Sequence, residues 1–165
     1  MNKIIINRDK IISDSDNVII NDNHIELINS DIYSIEYIDK NINEINLCIE
    51  VKNDIEAILF ESSFLNNIKI NNRYIVSNGK LCVNKFYDNR EVLENIDIDL
   101  YSRGKIDYRF SNICKNNEDY TININHMGIG TVSSINNKSI ALDGSKLKFI
   151  INSKVEKEYE KSVLD

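Results

Sequence analysis

The segment NINHMGIGTVSS, residues 123–134, combines several residue types that carry chemistry in proteins. His126 is one of two histidines in the chain, and Thr131 and Ser133 follow it closely, beyond a Gly-Ile-Gly sequence. An imidazole beside hydroxyl groups can serve acid–base or nucleophilic chemistry. A glycine-rich loop can hold a phosphate group when a helix follows it.

The sequence lacks the other motif residues that usually accompany either chemistry. The Gly-Ile-Gly loop lacks the third glycine, the lysine and the following helix pattern of a phosphate-binding loop. No Gly-x-Ser-x-Gly elbow is present for serine nucleophile chemistry. His126 continues the alternation of Ile122 and Ile124, so we predict a hydrogen-bonded, partly buried side chain on their face. We therefore predict that the chain is not an enzyme.

Three cysteines stand singly and far apart, which argues against a disulfide framework and against a Cys-x-x-Cys zinc site. Cys48 and Cys82 lie within apolar runs, where we expect small buried side chains. Cys114 stands at a strand end beside Lys115 and is the candidate reactive thiol. The candidate ligands for a metal or cluster are therefore Cys114 and His126, from separate segments.

The elements that must position these residues are strands, because apolar and polar residues alternate along most of the chain. We predict strands at 45–51, 56–62, 72–77, 80–87, 94–101, 105–110, 120–126, 133–142 and 146–151. Asn-, Asp- and Gly-containing turn signals separate them. Such short, evenly spaced strands with hardly any helical pattern between them predict an all-β sandwich, barrel or β-helix.

The remaining regions give weaker signals. Residues 18–28 could form a hairpin with Asp22 and Asn23 at its tip. The tail at 153–165 has an amphipathic pattern that suits a short C-terminal helix. No linker or shift in composition divides the chain, so residues 1–165 are predicted to form a single domain.

Composition and charge exclude several partner classes. The net charge is −6, and no window reads as a basic patch interleaved with aromatic residues, so we predict no nucleic-acid binding. No run approaches the roughly 20 apolar residues of a membrane span, and no signal-peptide pattern opens the chain. These patterns predict a cytoplasmic protein.

Residues 95–151 resemble the core of the SufB/SufD family, the scaffold proteins of the SUF iron–sulfur cluster assembly system. The likeness lies in the order of the segments IDIDLYSRGKIDYRF, KNNEDYTININH, GIGTVSS and NNKSIALDGSKLKFI. A strand ending in His126 is followed by a Thr/Ser-rich strand, then by a turn and a strand that brings Phe149 inward. By this resemblance Thr131, Ser133, Gly144 and Phe149 are structural positions.

The resemblance implies a right-handed parallel β-helix with inward apolar ladders. It also implies a non-catalytic scaffold in iron–sulfur cluster assembly or transfer. The implied partners are a second copy, paired through edge strands, or a SufB/SufD-like protein, together with a SufC-type ATPase. The family's cluster-ligand motif has no match here, so an iron–sulfur cluster would need thiolates such as Cys114 combined across a subunit interface. The alternative is an antiparallel β-sandwich or jelly roll that binds a ligand or a partner protein.

Overall fold

A computed structural model describes residues 1–8, 10–156 and 163–164. Their strands are β1 (Asn2–Asn7), β2 (Lys10–Ser13), β3 (Val18–Asn21), β4 (His24–Leu27), β5 (Ile32–Tyr37), β6 (Glu44–Lys52), β7 (Glu56–Ser63), β8 (Ile68–Ser77), β9 (Lys80–Tyr87), β10 (Val92–Leu100), β11 (Lys105–Cys114), β12 (Asn117–His126), β13 (Val132–Ala141), β14 (Lys146–Val155) and β15 (Val163–Leu164). The all-β prediction is confirmed, and the strands from β6 to β14 agree closely with the predicted ones.

The strands alternate between two sheets as the chain coils. The front sheet contains β2, β1, β5, β7, β9, β11, β13 and β15, and the back sheet contains β3, β4, β6, β8, β10, β12 and β14, in these spatial orders. From β5 onward each strand pairs in parallel with the strand one turn later. Ile32 pairs with Ile58, so one turn takes about 25 residues. The parallel β-helix prediction is confirmed, and the antiparallel sandwich alternative is wrong.

The two ends of the coil differ. At the N-terminal end β1 pairs with β2 and β3 pairs with β4, both antiparallel, so the first strands form a cap on the coil. The predicted hairpin around Asp22 is confirmed, with a positive φ at that residue. At the other end, Val155 ends a strand where the tail was predicted to be helical. Residues 157–162 and 165 of that tail lie outside the described residues.

The core lies between the two sheets and is built from inward positions of successive turns. These are mainly Ile, Leu and Val, and they form one continuous cluster of buried side chains. Tyrosine and phenylalanine stack among them: Tyr74 meets Tyr108 edge-on with ring centroids 5.9 Å apart, and Tyr87 meets Phe110 at 5.5 Å. Strict alternation supplies this core, because every second residue of a strand faces the opposite sheet.

The corner leading from the back sheet to the front sheet needs special backbone. Asn78 and Arg103 adopt positive φ angles of 48° and 57° there. A Cβ atom on Gly128 would lie 2.2 Å from the backbone nitrogen of Ser102, one turn earlier. The glycine is therefore required where the backbones of two turns touch.

Candidate functional site

His126 forms a closed hydrogen-bonded corner with the two hydroxyl residues that follow it. It ends β12 with its ring fully buried, as its parity with Ile122 indicated. Its Nδ1 lies 2.8 Å from Thr131 Oγ1, and its Nε2 lies 3.1 Å from Ser133 Oγ. The Thr131 hydroxyl donates to the carbonyl oxygen of Gly128 at 3.2 Å. These contacts suit an Nδ1–H that donates to Thr131 and an Nε2 that accepts from Ser133.

The chemistry of this corner is that of a satisfied core histidine. Burial lowers the pKa of His126, which favours the neutral ring at neutral pH. Thr131 stands at Nδ1, where a Ser-His-Asp triad has a carboxylate that stabilises the charged imidazole. The Ser133 hydroxyl is also buried, so a substrate does not reach it in this conformation.

The structure does not bring Cys114 and His126 together. Cys114 ends β11 and lies beside the start of β12, whereas His126 ends β12. The ten residues of β12 span about 30 Å at about 3.3 Å per residue. In the described part of the chain, no group of three or more His, Cys, Asp and Glu side chains could hold a metal ion. A cluster site within one copy therefore has no support from the described residues.

The cysteines differ from their predicted environments. Cys114, the candidate reactive thiol, is buried with its Sγ 3.5 Å from the carbonyl oxygens of Asn116 and Lys146. Burial raises the pKa of this thiol, which disfavours the thiolate. Cys48 and Cys82 were predicted to be buried, but both are only half-buried. The reason is parity, because their neighbours on either side occupy the inward positions.

Gly144 and Phe149 lie in the last turn of the coil. Gly144 has a φ of +78° in the turn between β13 and β14. Phe149 packs against Phe110 and Tyr120 of the preceding turn, with centroid distances of 5.7 and 5.5 Å. The aromatic side chain therefore points inward, as the SufB/SufD resemblance implied.

The sequence reasoning missed a buried charge cluster that bridges the two sheets. Lys85 of β9 lies 3.2 Å from Glu61 of β7 and 2.5 Å from Glu94 of β10, with all three side chains buried. Tyr37 donates to Glu61 at 2.6 Å, and Asn72 donates to Glu94 at 3.0 Å. The alternation in β9 was the available signal. Leu81, Val83 and Lys85 occupy every second position, so Lys85 is expected to face inward like the two apolar residues before it.

Charges this deep must compensate one another. Burial acts to lower the pKa of Lys85, but Glu61 and Glu94 outweigh it and hold that pKa well above its usual range. Burial raises the pKa of Glu94 to about 7, even though Lys85 favours its ionised form. The cluster thus holds an ammonium group between two carboxyl groups. Its members are enclosed in the core, out of contact with solvent.

The outward surface of the back sheet, here called the amide face, carries polar ladders on its central strands. Asn71 donates to Asn46 at 2.8 Å, and Asn95 donates to Asn71 at 3.2 Å, so one amide row spans three turns. Nearby, Arg73 donates to Asp99 at 2.8 Å. Side chains on this surface bind the next turn of the same chain.

The outward surface of the front sheet is different. On and beside β5, β7 and β9 its exposed large side chains are Ile32 (41%), Ile58 (38%), Phe60 (45%), Phe64 (65%) and Phe86 (41%), and we call this set the aromatic face. Phe64 and Phe86 lie 6.3 Å apart between ring centroids. A shallow depression of about 520 Å³ runs beside Phe60 and Phe86 over the smaller Ser34, Ser62 and Asn84. Exposed apolar patches of this kind mark interaction sites in soluble proteins.

No family model, no curated protein and no solved structure matches this chain. Across the described ranges, no helix has the length and apolar character needed to cross a membrane. The SufB/SufD resemblance therefore stays a prediction from residues 95–151.

Proposed function

We propose that this chain is a non-catalytic scaffold whose β-helical body presents the aromatic face to a protein partner. The observation that carries this proposal is the contrast between the ionisable groups in the core and the apolar side chains on the front surface. Three ionisable groups, Lys85, Glu94 and His126, are buried. Lys85 and Glu94 form an ion pair, and His126 is hydrogen-bonded to Thr131. The aromatic face, by contrast, leaves large apolar side chains in solvent. Such a surface serves association better than chemistry.

The SufB/SufD resemblance makes iron–sulfur cluster assembly or transfer the proposed process. A cluster would be held between subunits, because thiolates from one copy are too few and too far apart. Cys82 is the best-placed thiol for such a site, which requires a subunit pairing that brings two Cys82 side chains together. It is half-buried and pairs in register with Ile58 of the aromatic face, whereas Cys114 is enclosed.

Anaerobic reconstitution with iron and sulfide tests the cluster role. We expect retained iron and visible absorbance in the wild-type chain, with both lost in Cys82→Ser. Cys114→Ser is the matched control and should retain both. A colourless wild-type protein without bound iron would contradict the cluster role.

A second candidate, a protein-binding module without any cluster, rests on the aromatic face alone. It predicts association in the absence of iron and an unchanged affinity when iron is supplied. Measuring the partner affinity of the same chain with and without reconstitution separates the two functions.

A further inference from the structure

We propose that the aromatic face binds the aromatic face of a second copy of this chain, with the two-fold axis parallel to the axis of the coil. The inference deepens the proposed scaffold role and rests on it only in taking the aromatic face as a contact surface. It replaces pairing through edge strands, the arrangement that the SufB/SufD resemblance suggests, with pairing of flat sheet surfaces.

The area of the aromatic face suits a subunit interface. Its members are between 38% and 65% exposed, and Met1, at 78% exposed, borders the same depression. Because a free aromatic side chain presents about 150–250 Å², together they expose on the order of 500 Å² of apolar surface. A standard interface buries about 800 Å² per partner, of which a little more than half is apolar. The face therefore supplies about the apolar area that one partner contributes.

The charge distribution favours contact at this face. The chain carries a net charge of −6, so two copies repel each other over most orientations. Between the exposed members of the aromatic face lie Ser34, Ser62, Cys82 and Asn84, none of which carries a formal charge. Glu36 at the border is paired with Lys3 at 3.0 Å. Two copies can thus approach here without bringing unpaired carboxylates together.

The arrangement of large and small side chains makes the face complementary to itself. Register places Ser34, Phe60 and Asn84 in one row across β5, β7 and β9. Rotation about an axis along this row exchanges the rows on either side of it. Ile58 then lies opposite Ser62 of the second copy, and Phe86 lies opposite Cys82 of the second copy.

Phe60 lies on the axis itself, so its ring meets the same ring of the second copy. Aromatic pairs of this kind favour offset stacked or edge-to-face contact. In these two pairs a large residue faces a small one on either side of a central aromatic pair, as an isologous interface requires. The same rotation places Ile32 opposite Glu36 of the second copy, at the border of the contact.

Sedimentation equilibrium of the full chain over a concentration series, without iron, tests the dimer. We expect a reversible dimer in the wild type and, in Phe60→Asp and Phe86→Asp, a dissociation constant raised at least about 30-fold, as for interface hot spots. Leu93→Asp, at an exposed apolar position on the back sheet, is the matched control and should leave the dimer unchanged. A monomeric wild type, or a dimer that survives both aromatic-face substitutions, would overturn the proposal.

A charge exchange at the axis tests the geometry and controls for misfolding. Phe60→Asp alone and Phe60→Lys alone should be monomeric, because like charges meet on the axis. Their equimolar mixture should recover a heterodimer, since opposite charges then face each other. A mixture that stays monomeric would reject this two-fold arrangement. The cluster role can fail independently, because no iron enters either measurement.

Discussion

The amide face and the aromatic face are both built on parallel strands of the coil, but their outward side chains differ. Those of the amide face bind neighbouring turns, and those of the aromatic face are exposed to solvent. On the amide face, Asn71 binds Asn46 of the preceding turn and Asn95 of the following one. On the aromatic face, Phe60 stands between the smaller Ser34 and Asn84 in its row. One surface uses its side chains to join turns of the same chain, and the other leaves them exposed. Parallel strands of the same coil can therefore carry side chains that join turns on one side and side chains left in solvent on the other.

The largest expected effect concerns the charge cluster that joins the sheets beneath the two faces. Lys85→Met removes the cation between Glu61 and Glu94 and leaves their buried carboxylates uncompensated. We expect the free energy of unfolding in urea to fall by about 3–5 kcal/mol. Lys69→Met is the matched control, because Lys69 pairs with an exposed Glu44 and should cost less than about 1 kcal/mol. Equal losses in the two variants would mean that the buried lysine does not hold the sheets together.

The pH dependence of stability tests the contribution of Glu94, the member of the buried charge cluster that lies on the back sheet. The pKa of Glu94 is about 7 in the folded chain against an ordinary 4.5. The folded state therefore binds the extra proton, and stability falls as pH rises from 4.5 through 7, by at most about 3 kcal/mol. Unfolding in urea at several pH values should show this slope.

Comparison with Glu94→Gln isolates the contribution of this carboxyl group. His126 acts in the opposite sense, because its lowered pKa makes stability fall as pH drops below 6.5. Glu94→Gln leaves the histidine in place and should remove the fall towards neutral pH. An unchanged profile in Glu94→Gln would assign the slope to other groups.

A smaller effect is expected at the corner that connects the sheets. Gly128→Ala places a methyl group against the backbone of Ser102 and should cost about 1–3 kcal/mol in urea unfolding. Gly144→Ala is the control, because no atom lies within 4 Å of a Cβ built there and only its positive φ is unfavourable. If Gly144→Ala costs more than Gly128→Ala, close contact between turns is not what the corner requires.

The smallest expected changes in the free energy of unfolding compare the contributions of the two faces to the stability of one chain. Asn71→Ala removes the two ladder hydrogen bonds and a third to Glu44 at a half-exposed site, and should lower the free energy of unfolding by about 1 kcal/mol. Phe60→Ala should change the unfolding of the monomer by less than about 0.5 kcal/mol, as exposed substitutions usually do. Urea unfolding at concentrations below the dimer range makes the comparison. A greater cost at Phe60 would indicate that the aromatic face stabilises its own chain.

Alternation was sufficient to predict the strands from β6 to β14 and the inward side of β12, because period-two patterns report which residues face a core. It is insufficient in β7. Residues 57–60 are all apolar, so hydrophobicity does not identify the inward side of this strand. The structure buries Glu61 and exposes Ile58 and Phe60. Glu61 is stabilised there by Lys85, which is distant in the sequence and adjacent only after the coil forms.

The candidate site shows the same limit. The hydrogen bonds of His126 to Thr131 and Ser133 are local and follow from the sequence around one corner. The separation of Cys114 from His126 depends on the ten-residue length of β12, which begins beside Cys114 and ends at His126. Sequence spacing does not report such distances, because a single strand can carry two nearby residues to opposite ends of the molecule.

The antiparallel cap gives the coil a blocked end. Strands β2 and β3 run against their neighbours and have only four residues each. A further turn would need a full-length partner running in the parallel sense, and short, reversed border strands do not offer one. This end therefore resists templated filament growth. We therefore expect that concentrated solutions contain oligomers of defined size and no fibres that grow from the N-terminal end.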